Sequence, residues 1–83
     1  MKARWTISDD VLETFHRCTT RERSQLISYF EAITEFPDNM ADHMTRGPKG
    51  RPYLVAYVGK WEVTYWIDAV GDYVHFEGLQ RRR

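Results

Sequence analysis

Apolar and polar positions alternate from Ala3 through Arg4, Trp5, Thr6 and Ile7, the period of a short strand with one buried face. Ser8 then offers a helix N-cap, and Asp9 and Asp10 suit the positive end of the helix dipole. Val11, Leu12 and Phe15 recur at helical spacing as far as Cys18. Thr19 and Glu22 make a capping box that starts a second helix. Leu26, Ile27, Phe30 and Ile33 form its apolar stripe, and Pro37 ends it. With so little chain between them, the two helices are expected to pack as a hairpin.

Residues 37–52 break the pattern. Pro37, Asp38, Asn39, Gly47, Pro48, Gly50 and Pro52 predict a loop, with room for one short helical turn around Ala41. Residues 53–58 are rich in β-formers, and Gly59-Lys60 suits a type II′ hairpin turn. In residues 61–67, Trp61, Val63, Tyr65 and Ile67 fall on one face, and Glu62, Thr64 and Trp66 on the other. A second turn spans 68–72, and residues 73–79 read as the last strand. The expected fold is a single α+β domain over residues 1–83. It has an N-terminal strand, a helical hairpin, then a three-stranded antiparallel meander completing one sheet.

Composition narrows the function classes. Eighty-three residues leave no room for a separate cofactor domain, and twelve aromatics are too many for a disordered tail. Cys18, the one cysteine, has no internal disulfide partner, so a cytoplasmic setting is expected, and no membrane span or signal peptide is read. His16, His43 and His75 lack metal-ligand spacing, and neither a phosphate-binding loop nor a dinucleotide fingerprint is present, so no metal or cofactor is expected.

The chain is formally neutral, yet its charge is split. Residues 1–42 carry five cations against eight acids, net −3, and residues 43–83 seven cations against four acids, net +3. Arg46, Lys49 and Arg51 lie in the Gly/Pro loop, Lys60 in the hairpin turn, and Arg81, Arg82 and Arg83 after the last strand. Cations converging at one end of the sheet would grip phosphates, while Tyr53, Tyr57, Trp61 and Trp66 offer stacking faces. A soluble charged rim and an aromatic core account for the same residues, and Trp61 and Tyr65 are expected in that core. An RNase without metal needs a base for the 2′-hydroxyl, cations for the pentavalent phosphorane and an acid for the leaving oxygen. Arg51, Tyr53, Tyr57, His75 and Arg81 are the candidate catalytic groups, and Arg46, Lys49, Lys60 and Arg82 the candidate phosphate contacts.

The order of elements and four short motifs resemble the RelE/ParE superfamily of toxin–antitoxin toxins. Glu35-Phe36-Pro37 stands at the helix end and Met44-Thr45-Arg46-Gly47 at the following turn. The hairpin reads Tyr57-Val58-Gly59-Lys60-Trp61-Glu62-Val63-Thr64-Tyr65, and the last strand closes on Glu77-Gly78-Leu79-Gln80-Arg81. The resemblance implies an antitoxin partner and growth arrest through cleavage of mRNA on the ribosome. Tyr29, Phe36, Met40 and Met44 are the candidate antitoxin contacts. At hairpin positions where the family carries basic side chains this chain has Val55, Tyr57 and Glu62, and a carboxylate there repels phosphate. That departure keeps two other readings open: a binding module of the same fold directed at a protein such as DNA gyrase, and an inactive relic.

Overall fold

A computed structural model describes residues 4–82, the side chain of Lys49 excepted. Strand β1 (Arg4–Ile7) leads into helices α1 (Asp9–His16) and α2 (Thr20–Glu35) and a single helical turn, α3 (Pro37–Met40). Strand β2 (His43–Arg46), a 3₁₀ turn (Pro48–Gly50) and strands β3 (Pro52–Val58), β4 (Trp61–Asp68) and β5 (Tyr73–Arg81) complete the chain. No helix among the described residues is long and apolar enough to cross a membrane.

The local signals act as their chemistry demands. Ser8 Oγ accepts from the Val11 N–H, and Thr19 and Glu22 satisfy each other's backbone N–H groups in a capping box. Gly59 sits at φ +58, and Lys60 stays outside the left-handed region, as a type II′ turn requires. Asp72, at φ 59, is the only positive-φ non-glycine among the described residues; it closes the turn in which Asp68 Oδ1 accepts from the Gly71 N–H at 3.1 Å.

The five strands form one sheet in the order β1-β5-β4-β3-β2. β1 runs parallel to β5, and the other pairs are antiparallel. The expected α+β architecture is present, with two differences inside residues 37–52. The helical turn comes just before Ala41, and His43–Arg46 is a fifth strand where a loop was expected. Its four residues are all exposed, so no apolar alternation marks them; pairing with Pro52–Val55 makes the strand. The last strand also runs to Arg81 rather than Leu79.

One face of the sheet is covered by α1 and α2. Phe30 of α2 is the hub: its ring lies 4.4 Å from Phe76 and 5.4 Å from Trp5, and Tyr65 and Phe76 stand 5.8 Å apart. Val11, Leu26, Ile33, Val63 and Val74 close around them. Tyr65 is fully buried, its hydroxyl donating to the Pro37 carbonyl at 2.6 Å, and burial pushes its pKa up to about 12. Trp61 is likewise core, 2% exposed, with its indole N–H unpartnered.

The β3–β4 turn and the end of β5 are tied to α2 by one carboxylate. Glu22 Oε2 accepts from Lys60 Nζ at 2.5 Å and from Arg81 at 3.0 Å. The Lys60 contact, the Thr19 backbone N–H and Arg81 together hold Glu22 at about 2, below its ordinary 4.5.

Two predictions follow from this packing. Phe30→Ala removes the ring at the aromatic hub and is expected to cost about 3–5 kcal/mol in urea unfolding. The Glu22 contribution is fully present above pH 4.5 and is lost as pH falls toward about 2. The stability gap between wild type and Glu22→Gln should therefore close over that window.

Candidate functional site: the open face of the sheet

The face away from the helices carries the chemistry. Strand alternation sends Tyr57 of β3 and Glu62, Thr64 and Trp66 of β4 to it, with His75 of β5 and Thr6 of β1. These side chains fall into two groups.

The first group lies at the β3–β4 turn. Tyr57 is its centre. The Arg82 guanidinium stands 4.6 Å from the Tyr57 ring centroid, and His43 Nε2 lies 3.0 Å from the Tyr57 hydroxyl. Asp42 Oδ2 accepts from the Tyr57 N–H at 2.7 Å and so fixes the start of β2 against β3. Glu62 pairs across the strands with Tyr57 and accepts from Gln80 Nε2 at 2.5 Å.

The second group is a row of stacked planes running from β3 to β1. Arg51 lies 3.7 Å over the Trp66 ring; Trp66 stacks on His75 at 4.2 Å; His75 and Tyr73 lie 5.7 Å apart and near parallel; Arg4 covers Tyr73 at 4.7 Å. The row is pinned from below. Thr6 Oγ1 lies 2.6 Å from His75 Nδ1, Asp68 Oδ2 lies 3.4 Å from His75 Nε2, and the Trp66 indole donates to Glu77 at 3.0 Å. The Gly71 N–H, and after it His75, lower the Asp68 pKa.

Between the groups lies a shallow concavity of about 290 Å³ bordered by Asp10, Glu62 and Glu77. Arg4, Arg51 and Arg82 are thus set against Asp10, Asp42, Glu62, Asp68 and Glu77, and the face carries no positive excess. A polyanion meets local cations here rather than a broad positive field.

The residues singled out in the sequence are distributed as follows. Tyr57 and Arg82 come together in the first group, and Arg51 and His75 in the second, joined through Trp66. Tyr53 packs on the loop, where a Cβ on Gly47 would stand 2.4 Å from its ring. Lys60 and Arg81 are on the helix side, held by Glu22, with Arg81 4.7 Å over the Trp61 ring. Arg46 reaches the Gly50 carbonyl at 3.5 Å, away from both groups. The Lys49 side chain and Arg83 lie outside the described residues. Of the expected partner contacts, Phe36 and Met44 are exposed, 53% and 65%, while Tyr29 and Met40 pack against the core. His43 was missed as a site residue, because its strand is defined by pairing rather than by pattern.

Two solved structures resemble the whole chain. A chain of the RelBE toxin–antitoxin complex from Mycobacterium tuberculosis superposes with a TM-score of 0.82 at 14% identity, covering 99% of this chain and 100% of that one. A chain of the archaeal RelE–RelB complex from Pyrococcus horikoshii gives 0.74 at 16% identity, covering 99% and 97%. The fold is therefore RelE-like, in agreement with the motif resemblance. No protein-family model and no curated protein matches the sequence.

The Asp68 carboxylate links the turn to the stacked row, which gives a local prediction. Asp68→Ala should release both the Gly71 N–H and His75. The Gly71 amide is then expected to exchange with solvent several-fold faster in hydrogen-exchange NMR, with core amides unchanged.

Proposed function

We propose that the chain is the toxin of a toxin–antitoxin module and inhibits translation by cleaving mRNA on the ribosome. The observation that carries this reading is Tyr57, a hydroxyl-bearing side chain beneath the Arg82 guanidinium on the open face of a RelE-like sheet. The hydroxyl supports proton transfer at a ribose 2′-oxygen, and the guanidinium supports charge compensation at the phosphorane. A ribosome would add the positioning that so small a face lacks. Arg51 is a second phosphate contact in this reading. Arg81 and Lys60 contribute through stability, since both are engaged with Glu22. The partner is an antitoxin whose apolar side chains cover the exposed Phe36 and Met44.

A second reading, a non-nucleolytic binding module acting on a protein target such as DNA gyrase, is favoured by Glu62. Its carboxylate stands beside Tyr57 and opposes the approach of phosphate.

Controlled expression in a bacterial host separates the two. The expected result is growth arrest with new mRNA 5′ ends inside translated frames. Arrest with intact mRNA and altered DNA supercoiling would support the binding module instead. In the nuclease reading Glu62→Gln removes a like charge from the phosphate path, and cleavage should accelerate several-fold at low salt. A slower or unchanged rate in that variant counts against phosphate approaching Tyr57.

A further inference from the structure

We propose that His43 is the proton-accepting partner of Tyr57, so that β2 completes the site by supplying a histidine–tyrosine pair. The inference rests on the nuclease reading above. It starts from a contact between an exposed side chain and a half-buried one on different strands: His43 Nε2 lies 3.0 Å from the Tyr57 hydroxyl. The ring centroids are 5.7 Å apart and tilted by 46°, so the contact is made through the hydroxyl rather than by stacking.

The placement is dictated by backbone. His43 pairs with Val55, two residues before Tyr57 and on the same face. Asp42 clamps that register twice: its N–H donates to the Val55 carbonyl at 2.8 Å, and its carboxylate accepts from the Tyr57 N–H at 2.7 Å. No β2 side chain belongs to the core, since all four residues are exposed. What the strand delivers to Tyr57 is the imidazole.

His75 does not compete for this role. Each of its ring nitrogens already faces a partner, Thr6 at 2.6 Å and Asp68 at 3.4 Å, and its ring stacks against Trp66 and Tyr73.

The step balances without a cofactor. With its proton on Nδ1, His43 accepts the Tyr57 hydroxyl proton at Nε2 while the Tyr57 oxygen takes the proton of the ribose 2′-hydroxyl. The O2′–P bond forms and the P–O5′ bond breaks. The products are a 2′,3′-cyclic phosphate and a 5′-hydroxyl whose proton comes from water. The imidazolium then returns its proton to the resulting hydroxide. Arg82 sits over the tyrosine ring, where its guanidinium meets the charge on phosphorus. His43 acts through Tyr57 and is a positioning residue rather than a contact to substrate.

The test is single-turnover cleavage of a 5′-labelled mRNA on purified bacterial ribosomes, with full-length wild type, His43→Ala, His43→Gln, Tyr57→Phe and the His43→Ala/Tyr57→Phe double variant. His43 is exposed, so the substitutions should leave the fold intact, checked by circular dichroism. The expected result is a loss of about 100-fold in the saturating single-turnover rate constant for His43→Ala, with the half-saturating concentration unchanged. Added imidazole should restore cleavage to His43→Ala but not to Tyr57→Phe. The double variant should be no slower than Tyr57→Phe alone, and His43→Gln should stay slow. A His43→Ala variant that cleaves at the wild-type rate overturns the inference and leaves the nuclease reading standing. So does a loss that adds fully to that of Tyr57→Phe and ignores imidazole. Absence of cleavage by wild type overturns both.

Discussion

Between Phe76 and Gly78 the ladder with β4 takes in one more residue on β5 than on β4: Tyr65 pairs with Phe76, but Thr64 pairs with Gly78. This bulge at Glu77 reverses the facing of everything after it. Leu79 turns inward to the core, 8% exposed, and Arg81 follows it to the helix side, onto Trp61 and Glu22. Gln80 and Arg82 come to the open face, beside Glu62 and over Tyr57. The same residue anchors the rest of the fold. Its carbonyl accepts from the Ser8 hydroxyl at the start of α1, and its carboxylate accepts from the Trp66 indole in the stacked row. Which cation reaches the tyrosine is thus decided by one inserted residue.

Much of the architecture was legible because it is written in local chemistry. The caps at Ser8 and Thr19, the stripe from Leu26 to Ile33 and the II′ turn at Gly59 each act within a few residues. The alternation in β4 correctly separates Trp61, Val63 and Tyr65 from Glu62, Thr64 and Trp66. What escaped was nonlocal. β2 has no apolar period and exists through its register with β3. Strict alternation from Tyr73 would place Arg81 with His75 on the open face, and nothing in the residues between them announces the bulge. Lys60 stood out as a free cation because its partner, Glu22, is 38 residues away in sequence.

The open face combines charges of both signs with many planes. Arg51, Trp66, His75, Tyr73 and Arg4 form a row whose members are committed to one another, with Asp68, Thr6 and Glu77 fixing them from the sheet. Such a row stiffens the sheet, while the guanidinium groups at its two ends keep their hydrogen-bond donors free of side-chain partners among the described residues. The lack of a positive excess costs long-range attraction for RNA, so in the nuclease account affinity comes from the surface that presents the message rather than from this face alone.

The most direct measurement is a structure of the protein bound to a bacterial ribosome carrying mRNA whose 2′-hydroxyls are methylated, which blocks the attacking oxygen and traps the complex. The account predicts the message across the open face, with one phosphate beside Tyr57 and Arg82 and His43 on the far side of the tyrosine hydroxyl. Message bound at the helix side around Lys60 and Arg81, with the open face bare, would contradict it.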